Sequence, residues 1–203
     1  NDVQPNTHHP LEHVPDPVNP DSNFGEVSAL RIKGASNLAL KNDGTLWAWG
    51  DNTFGQLGTG DSSVRGVPTL VHQGTCYSHV ALARRTACGV IDDDGNPNHG
   101  RVQCWGQRLG QVDADLAMQP VLLSEGDGFS ANPDQQIVCG SAHCCLFERR
   151  DTSIRCWGLN DYGQTGSLRD QNDPLYQTSV TPITNFLSQN DVLTIDQVAA
   201  GER

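Results

Sequence analysis

The chain has 203 residues with 21 glycines and 11 prolines, a hydrophobic fraction of 36% and a formal net charge of −11. This composition indicates a turn-rich, β-rich protein, and the acidic charge argues against nucleic-acid binding because phosphate contacts require clustered Lys and Arg side chains. No stretch approaches the roughly 18 consecutive apolar residues that a membrane-spanning helix needs, so no membrane span is expected.

The first segment, residues 1–26, is rich in proline, which opposes regular helix and strand pairing and favours an extended arm. His8, His9, Glu12 and His13 lie close together in this arm and could gather a metal ion. A solvated linker that contains histidines explains the same residues more simply, so we predict no metal site. The sequence does not begin with Met, and we expect a processed end or a piece of a longer protein.

Three later stretches of the chain repeat one pattern. Each contains an apolar strand, a polar turn with Asp or Gly, a second strand and a Trp-Gly pair, which together are a β-hairpin signature. The tryptophans of these pairs are Trp49, Trp105 and Trp157. β-Prone segments precede the hairpins, as in VSALRIKG and QQIVCGSAH, and a further short strand follows each one. Four short strands in roughly 50 residues are typical of a β-propeller blade.

The repeat divides the chain into units. After the arm at 1–26, we predict one blade over 27–75, a second over 76–135, a third over 136–194 and the start of a fourth at 195–203. The second unit is the most divergent, because its hairpin tip is enlarged and residues are missing after its Trp-Gly pair. The predicted fold is therefore all-β, a partial propeller of about three blades plus the start of a fourth.

Cysteines differ between the units in pairs. The second and third hairpins carry one cysteine on each strand, whereas the first hairpin has neither. The predicted disulfides are Cys88 with Cys104 and Cys145 with Cys156. Their counterparts in the first unit, Leu38 and Ala48, lie symmetrically about the turn, and opposed residues in such a pair have Cα atoms about 4.5 Å apart, within reach of a disulfide. Two disulfides indicate an oxidising compartment.

Three cysteines remain. Cys139 could pair with Cys144 around a small loop, or with Cys76, since Cys76 and Cys139 both precede hairpins of adjacent units. The sequence does not choose between these pairings. A zinc site within CGSAHCC is conceivable, but ligands crowded so closely rarely suit tetrahedral geometry, so we predict no metal there.

Two motifs carry a family resemblance. LALKNDGTLWAWGDNTFGQLGTGD (38–61) resembles the repeat of the regulator of chromosome condensation family, whose units form seven-bladed β-propellers. CWGLNDYGQTG, with HCCLF before it, is similar to the secreted bacterial type of this repeat, in which a Cys before the apolar pair accompanies a Cys before Trp-Gly. The resemblance covers about residues 27–203. Three blades do not close a seven-bladed ring, so we expect further residues or another chain to cover the third blade.

The recurrent residues of these motifs are predicted to be architectural. Glycines suit turns that need a positive φ or a close backbone approach, aromatic rings seal neighbouring blades, and glutamines bond open backbone groups. The residues assigned to blade structure are Trp49, Gly50, Gly55, Gln56, Gly58, Trp105, Gly106, Trp157, Gly158, Gly163 and Gln164. We predict no catalytic residue and no cofactor.

The acidic stretch DDDGN partly matches a calcium loop, with Asp92, Asp94 and Asn96 at alternate positions. Pro97 replaces the required glycine and Gln103 stands where a bidentate Glu would lie, so an acidic hairpin tip is the better interpretation. Hydrolase elbows, phosphate loops and zinc-protease motifs do not occur in the sequence. The sequence therefore predicts a protein that is not an enzyme.

These observations predict a non-enzymatic, extracytoplasmic β-propeller segment that acts as a protein-binding or scaffold module, with a protein partner or further chains completing the propeller. One alternative is a secreted inhibitor of another enzyme, by analogy with a β-lactamase inhibitor of this propeller type. It would need exposed aromatic residues, for which Tyr77, Phe129 and Tyr176 are the candidates. Guanine-nucleotide exchange on a small GTPase is a third hypothesis, which the paired cysteines and acidic charge oppose.

Overall fold

The computed structural model describes residues 24–92, 100–107, 116–122, 135–148, 154–166, 176–183 and 200–201. Most of the predicted arm, the tip at 93–99 and most of the predicted fourth unit lie outside these residues. In the part of the chain that the structure describes, no helix has the length and hydropathy needed to cross a bilayer.

The described residues form three four-stranded antiparallel sheets. The first contains β1 (Val27–Lys33), β2 (Ser36–Lys41), β3 (Leu46–Gly50) and β4 (Arg65–Val71). The second contains β5 (Tyr77–Leu82), β6 (Thr86–Ile91), β7 (Val102–Gln107) and β8 (Leu116–Leu122). The third contains β9 (Gln135–Cys139), β10 (His143–Glu148), β11 (Ile154–Leu159) and β12 (Tyr176–Ile183). Strands follow chain order in every sheet, so the predicted all-β fold of propeller blades is confirmed.

The central hairpin of the first sheet, β2 and β3, is joined by a turn that side chains of the turn itself hold in place. Asp43 accepts hydrogen bonds from the Thr45 amide (3.0 Å) and from the Thr45 hydroxyl (2.6 Å). These bonds, the hydroxyl first, hold the pKa of the Asp43 carboxyl below its usual value. Gly44 has a φ of 81°, which a glycine adopts without strain, and this turn sets the register that pairs Leu38 with Ala48.

The first and second sheets pack face to face. Leucines 38, 40, 46 and 57 of the first unit contact a second-sheet surface that includes Tyr77, Val80 and Trp105. The Trp105 indole Nε1 donates to the backbone oxygen of Gln56 at 3.0 Å, and its ring lies edge-on to His72 at 4.6 Å. The large aromatic area and its satisfied polar atom join two units at one point.

The second and third sheets pack in the same way around a smaller cluster. Cys88, Val90 and Val102 of the second sheet contact a third-sheet surface that includes Leu146 and Trp157. At the edge of this interface the Arg84 amide donates to the Ser141 carbonyl oxygen at 3.1 Å. Each of the two interfaces therefore combines buried side chains with a hydrogen bond that a backbone carbonyl oxygen accepts.

The glycine of each Trp-Gly pair lies beneath a backbone carbonyl. In all three sheets the amide after the pair donates to the turn between the first two strands of its own sheet. These bonds are Asp51 to Ala35 (2.9 Å), Gln107 to Arg85 (2.8 Å) and Leu159 to Ala142 (2.8 Å). A Cβ placed on Gly50, Gly106 or Gly158 would lie 1.9, 2.4 or 2.5 Å from the same carbonyl oxygens. A side chain is therefore excluded at this position.

Gly50→Ala should destabilise the folded chain by about 3 kcal/mol or more, because Gly50 has a φ of 102° and its Cβ would overlap the Ala35 carbonyl. Gly34→Ala is the matched control, since Gly34 also has a positive φ (60°) but its Cβ would meet nothing within 4 Å. We expect about 1 kcal/mol for the control. Urea unfolding measures both free energies, and equal losses would contradict the steric explanation.

His72 lies half-buried at the interface between the first and second sheets. It follows β4 with a φ of 52°, and its Nδ1 lies 2.5 Å from the Tyr77 hydroxyl, which also receives a hydrogen bond from Gln103. Burial disfavours the imidazolium and lowers the pKa of His72 to about 4. The histidine in this interface is therefore neutral, and protonating it would destabilise the packing between the two sheets.

The free energy of unfolding should decrease as the pH is lowered from about 6.5 to about 4. The unfolded chain binds the His72 proton with an ordinary pKa of 6.5 and the folded chain only near 4, so falling pH favours unfolding. The stability that the neutral histidine contributes is fully present above pH 6.5. Below that pH it decreases by about 1.4 kcal/mol for each pH unit. His72→Asn, which tolerates the positive φ, should flatten that slope in urea unfolding series. An unchanged slope would exclude His72 as its source.

Candidate interaction surface

The loop after the first Trp-Gly pair is held by two buried amide side chains. Asn52 Oδ1 accepts from the Leu57 amide (2.9 Å), and Asn52 Nδ2 donates to the Asp61 carbonyl (2.8 Å). Gln56 Oε1 accepts from the Phe54 amide (2.8 Å), and Gln56 Nε2 donates to Asp51 Oδ2 (3.0 Å). The loop backbone is thereby satisfied from inside and presents its remaining surface to solvent.

The third unit repeats these bonds. Asn160 Oδ1 accepts from the Thr165 amide at 3.0 Å, and Gln164 Oε1 accepts from the Tyr162 amide at 2.8 Å. Gln56 and Gln164 were predicted to bond open backbone groups in this loop, whereas Asn52 and Asn160 were not singled out from the sequence. Both asparagines follow a Trp by three residues, which is the signal that could have identified them.

The remaining predicted site residues lie at turns and sheet faces. Positive φ angles occur at Gly50, Gly55, Gly58, Gly106, Gly158 and Gly163. Trp105 and Trp157 are buried in the two interfaces between sheets. Trp49 differs, because it lies on the opposite face of the first sheet and remains partly exposed.

All the cysteines lie in the described residues, and six of them form three disulfides. The bonded pairs are Cys88–Cys104, Cys139–Cys144 and Cys145–Cys156, with Cα–Cα distances of 4.0, 4.1 and 4.1 Å. Each pair joins residues directly opposed on neighbouring strands. Of the pairings left open by the sequence, Cys139 takes Cys144, and Cys76 lies outside the three disulfides.

The first sheet has an apolar face directed away from the second sheet, here called the outer face. It consists of Leu30, Ile32, Trp47, Trp49 and Leu70. The register places Leu30, Ala39, Trp47 and Leu70 in one row across the sheet. Leu30, Ile32 and Leu70 are 49, 62 and 38% exposed.

One aromatic side chain covers part of the outer face. The Phe24 ring meets Trp47 edge-on at 5.3 Å and Trp49 at 6.4 Å, and Lys41 Nζ lies 5.1 Å from the Phe24 ring centre. Phe24 buries Trp47 but leaves Leu30 and Ile32 exposed. The outer face is therefore an apolar strip with a partly covered aromatic centre.

Acidic loop residues are held in their ionised form. The Thr53 hydroxyl is the main cause that lowers the pKa of the Asp51 carboxyl, and the Arg65 guanidinium, 2.7 Å from Asp61, is the main cause at Asp61. These carboxylates add to the negative charge of the chain near neutral pH. The loop therefore carries two ionised carboxylates, of which Asp61 is paired with Arg65.

The aromatic residues considered for an inhibitor have different positions. Tyr77 is buried at the interface between the first two sheets, so it is not a surface anchor. Phe129 lies outside the described residues, as does the side chain of Tyr176. Tyr162 is 75% exposed, whereas Arg85 covers its counterpart Phe54 with its guanidinium 4.2 Å from the ring centre.

Comparisons with known proteins identify the repeat. The family model described as the regulator of chromosome condensation (RCC1) repeat matches residues 43–89. The human E3 ubiquitin-protein ligase HERC2 is 33% identical over 134 residues, which are 64% of this chain and 3% of HERC2. Mouse Protein RCC2 is 26% identical over 155 residues, which are 72% of this chain and 29% of RCC2. This chain thus spans a small part of each relative.

A solved structure shows the same fold. The crystal structure of human WBSCR16 superimposes with a TM-score of 0.65 at 22% identity, covering 87% of this chain and 42% of that protein. At this identity the likeness concerns the fold alone. The matched repeat and the three sheets lead to one conclusion: the chain contains an RCC1-like repeat and has the fold of RCC1-like β-propeller blades.

Proposed function

We propose that this segment is a non-enzymatic scaffold module that binds a protein partner through the outer face of its first sheet. An RCC1-like propeller fold supports a protein-interaction module. The observation that carries the proposal is the exposure of Leu30 and Ile32 beside partly exposed Trp49. Contiguous apolar side chains with an aromatic centre are characteristic of protein-binding surfaces.

The chemistry of the face defines the partner. Aliphatic and indole side chains on a flat sheet suit another sheet or an apolar strand packed face to face. The net charge of −11 adds attraction for a partner with a basic rim. A further chain of the same repeat type meets the first condition, which supports assembly with other propeller segments as the simplest form of binding.

An extracytoplasmic location is part of the proposal. Three disulfides among the described cysteines favour an oxidising compartment, where such bonds persist. The secreted bacterial type of repeat remains a hypothesis on the same basis. The exposed Tyr162 supports the alternative of an enzyme inhibitor that inserts an aromatic side chain into its target. No described feature favours nucleotide exchange.

Ile32→Glu should weaken partner binding or self-association at least about tenfold, because a carboxylate would be buried in an apolar contact. Stability should change by less than about 0.5 kcal/mol, since Ile32 is 62% exposed. Val64→Glu is the matched control, because Val64 is 67% exposed but precedes β4 outside the outer face. Light scattering measures self-association, and pull-down from the source organism measures partner binding.

The two substitutions separate the possible outcomes. Loss with Ile32→Glu alone supports the outer face as the binding surface. Equal retention in both variants excludes that face, and loss with Tyr162→Ala instead would favour the inhibitor hypothesis. Thermal unfolding of each variant verifies that lost binding does not result from lost folding.

A further inference from the structure

Four cysteine sulfurs meet at one interface. Cys88–Cys104 joins β6 to β7, and Cys139–Cys144 joins β9 to β10 on the facing sheet. The Sγ atoms of Cys88, Cys139 and Cys144 all lie within 4.8 Å of one another. The two disulfides are therefore in direct contact across the boundary between the second and third sheets.

The preceding interface shows that packing does not require sulfur here. The residue pairs at the corresponding register positions between the first and second sheets are Leu38–Ala48 and Leu82–Ala87. These four side chains belong to one buried cluster. A Leu-Ala pair on each sheet thus fills the same space that a disulfide on each sheet fills at the next interface.

One of the two disulfides opens on a cavity. Cys139 is partly exposed and lines a cavity of about 230 Å³ where β1, β5 and β9 converge. Arg31 and Lys33 line the same cavity, which gives it a cationic wall in an acidic protein. Cys88 and Cys144 are fully buried, and Cys104 is partly exposed but is not among the residues that line this cavity. A molecule in the cavity can therefore reach Cys139 first.

We propose that Cys139–Cys144 is an exchange-active disulfide that reacts with a small anionic thiol from this cavity. The released thiolate then exchanges with Cys88–Cys104, and the new bond links the second and third sheets covalently. The proposal does not rest on partner binding at the outer face, although Ile32 of that face also lines the cavity between Arg31 and Lys33. The cationic wall selects the thiol, because Arg31 and Lys33 attract a carboxylate and favour the thiolate that attacks.

The exchange balances without an oxidant or reductant. The incoming thiolate bonds to Cys139 Sγ, the Cys139–Cys144 bond breaks, and Cys144 leaves as a thiolate. Cys144 then bonds to Cys88 Sγ, the Cys88–Cys104 bond breaks, and Cys104 leaves as a thiolate that takes up the proton lost by the incoming thiol. Two disulfides remain: a mixed disulfide at Cys139 and an intersheet bond from Cys88 to Cys144.

The third disulfide provides an internal control. Cys145 follows Cys144 on β10, so its side chain points to the opposite face of the sheet. Its partner Cys156 lies on β11, away from the quartet of sulfurs. A thiol released at Cys145 should not reach either of the other two disulfides.

The relay step is tested with Cys104→Ala, which leaves a thiol at Cys88 beside the intact Cys139–Cys144 bond. Ala48 occupies the corresponding position in the first sheet, so alanine fits there. We expect an intersheet bond from Cys88 to Cys139 or Cys144 in peptide maps of the unreduced, acid-quenched protein. Cys156→Ala is the control and should retain Cys88–Cys104 and Cys139–Cys144. A Cys104→Ala chain without any intersheet bond overturns the relay.

The access step is tested with two small thiols of opposite charge, N-acetylcysteine and cysteamine. Relative to an exposed reference disulfide, the anionic thiol should label Cys139 of the unsubstituted protein about tenfold faster than the cationic thiol. The variant Arg31→Gln/Lys33→Gln should remove that preference. Equal rates in the unsubstituted protein, or labelling of Cys145 or Cys156 before Cys139, overturn the proposed site.

Discussion

The fold depends on burying both faces of sheets that are only four strands wide. Every residue of β6 is buried, because one face of its sheet meets the first sheet and the other meets the third. Such a strand has a nearly continuous apolar sequence rather than the alternation of a half-exposed strand. Each sheet is consequently unstable alone, and its partners are as much a part of its core as its own residues.

Face-to-face packing determines which residues can occupy the loops. The sheets approach closely enough that the Trp105 indole donates to the Gln56 backbone, and Gly58 carries no side chain because a Cβ there would lie 2.8 Å from that indole. At Gly50 a side chain is excluded by the Ala35 carbonyl oxygen of the same sheet. One motif therefore meets two separate requirements, closure of a sheet and contact with its neighbour. This explains why its letters recur together in the chain.

The hairpins were predictable because both of their determinants are local: a turn residue such as Gly44, and opposed positions such as Leu38 and Ala48 about it. The pairing of Cys139 was not, because the sequence offers both nearby Cys144 and Cys76 at the matching place in the adjacent unit, and only the register of β9 with β10 opposes Cys139 to Cys144. The outer face was also beyond sequence reasoning. Whether Leu30 is buried depends on a neighbouring sheet, which the repeat pattern of one unit does not specify.

Equivalent positions at the two interfaces hold either leucine and alanine or a disulfide. The packing role of these positions can therefore be distinguished from the covalent role of the disulfides. A bridge such as Cys88–Cys104 spans 16 residues and restricts the unfolded chain, which is a sufficient reason for it. Cys139–Cys144 spans only five, and the hydrogen bond from the Gly140 amide to the His143 carbonyl already closes that turn. Its entropic gain is thus the smallest of the three. Since Leu82 and Ala87 pack the equivalent place at the preceding interface without sulfur, stability is the weakest explanation for this disulfide, and the proposed exchange explains it better.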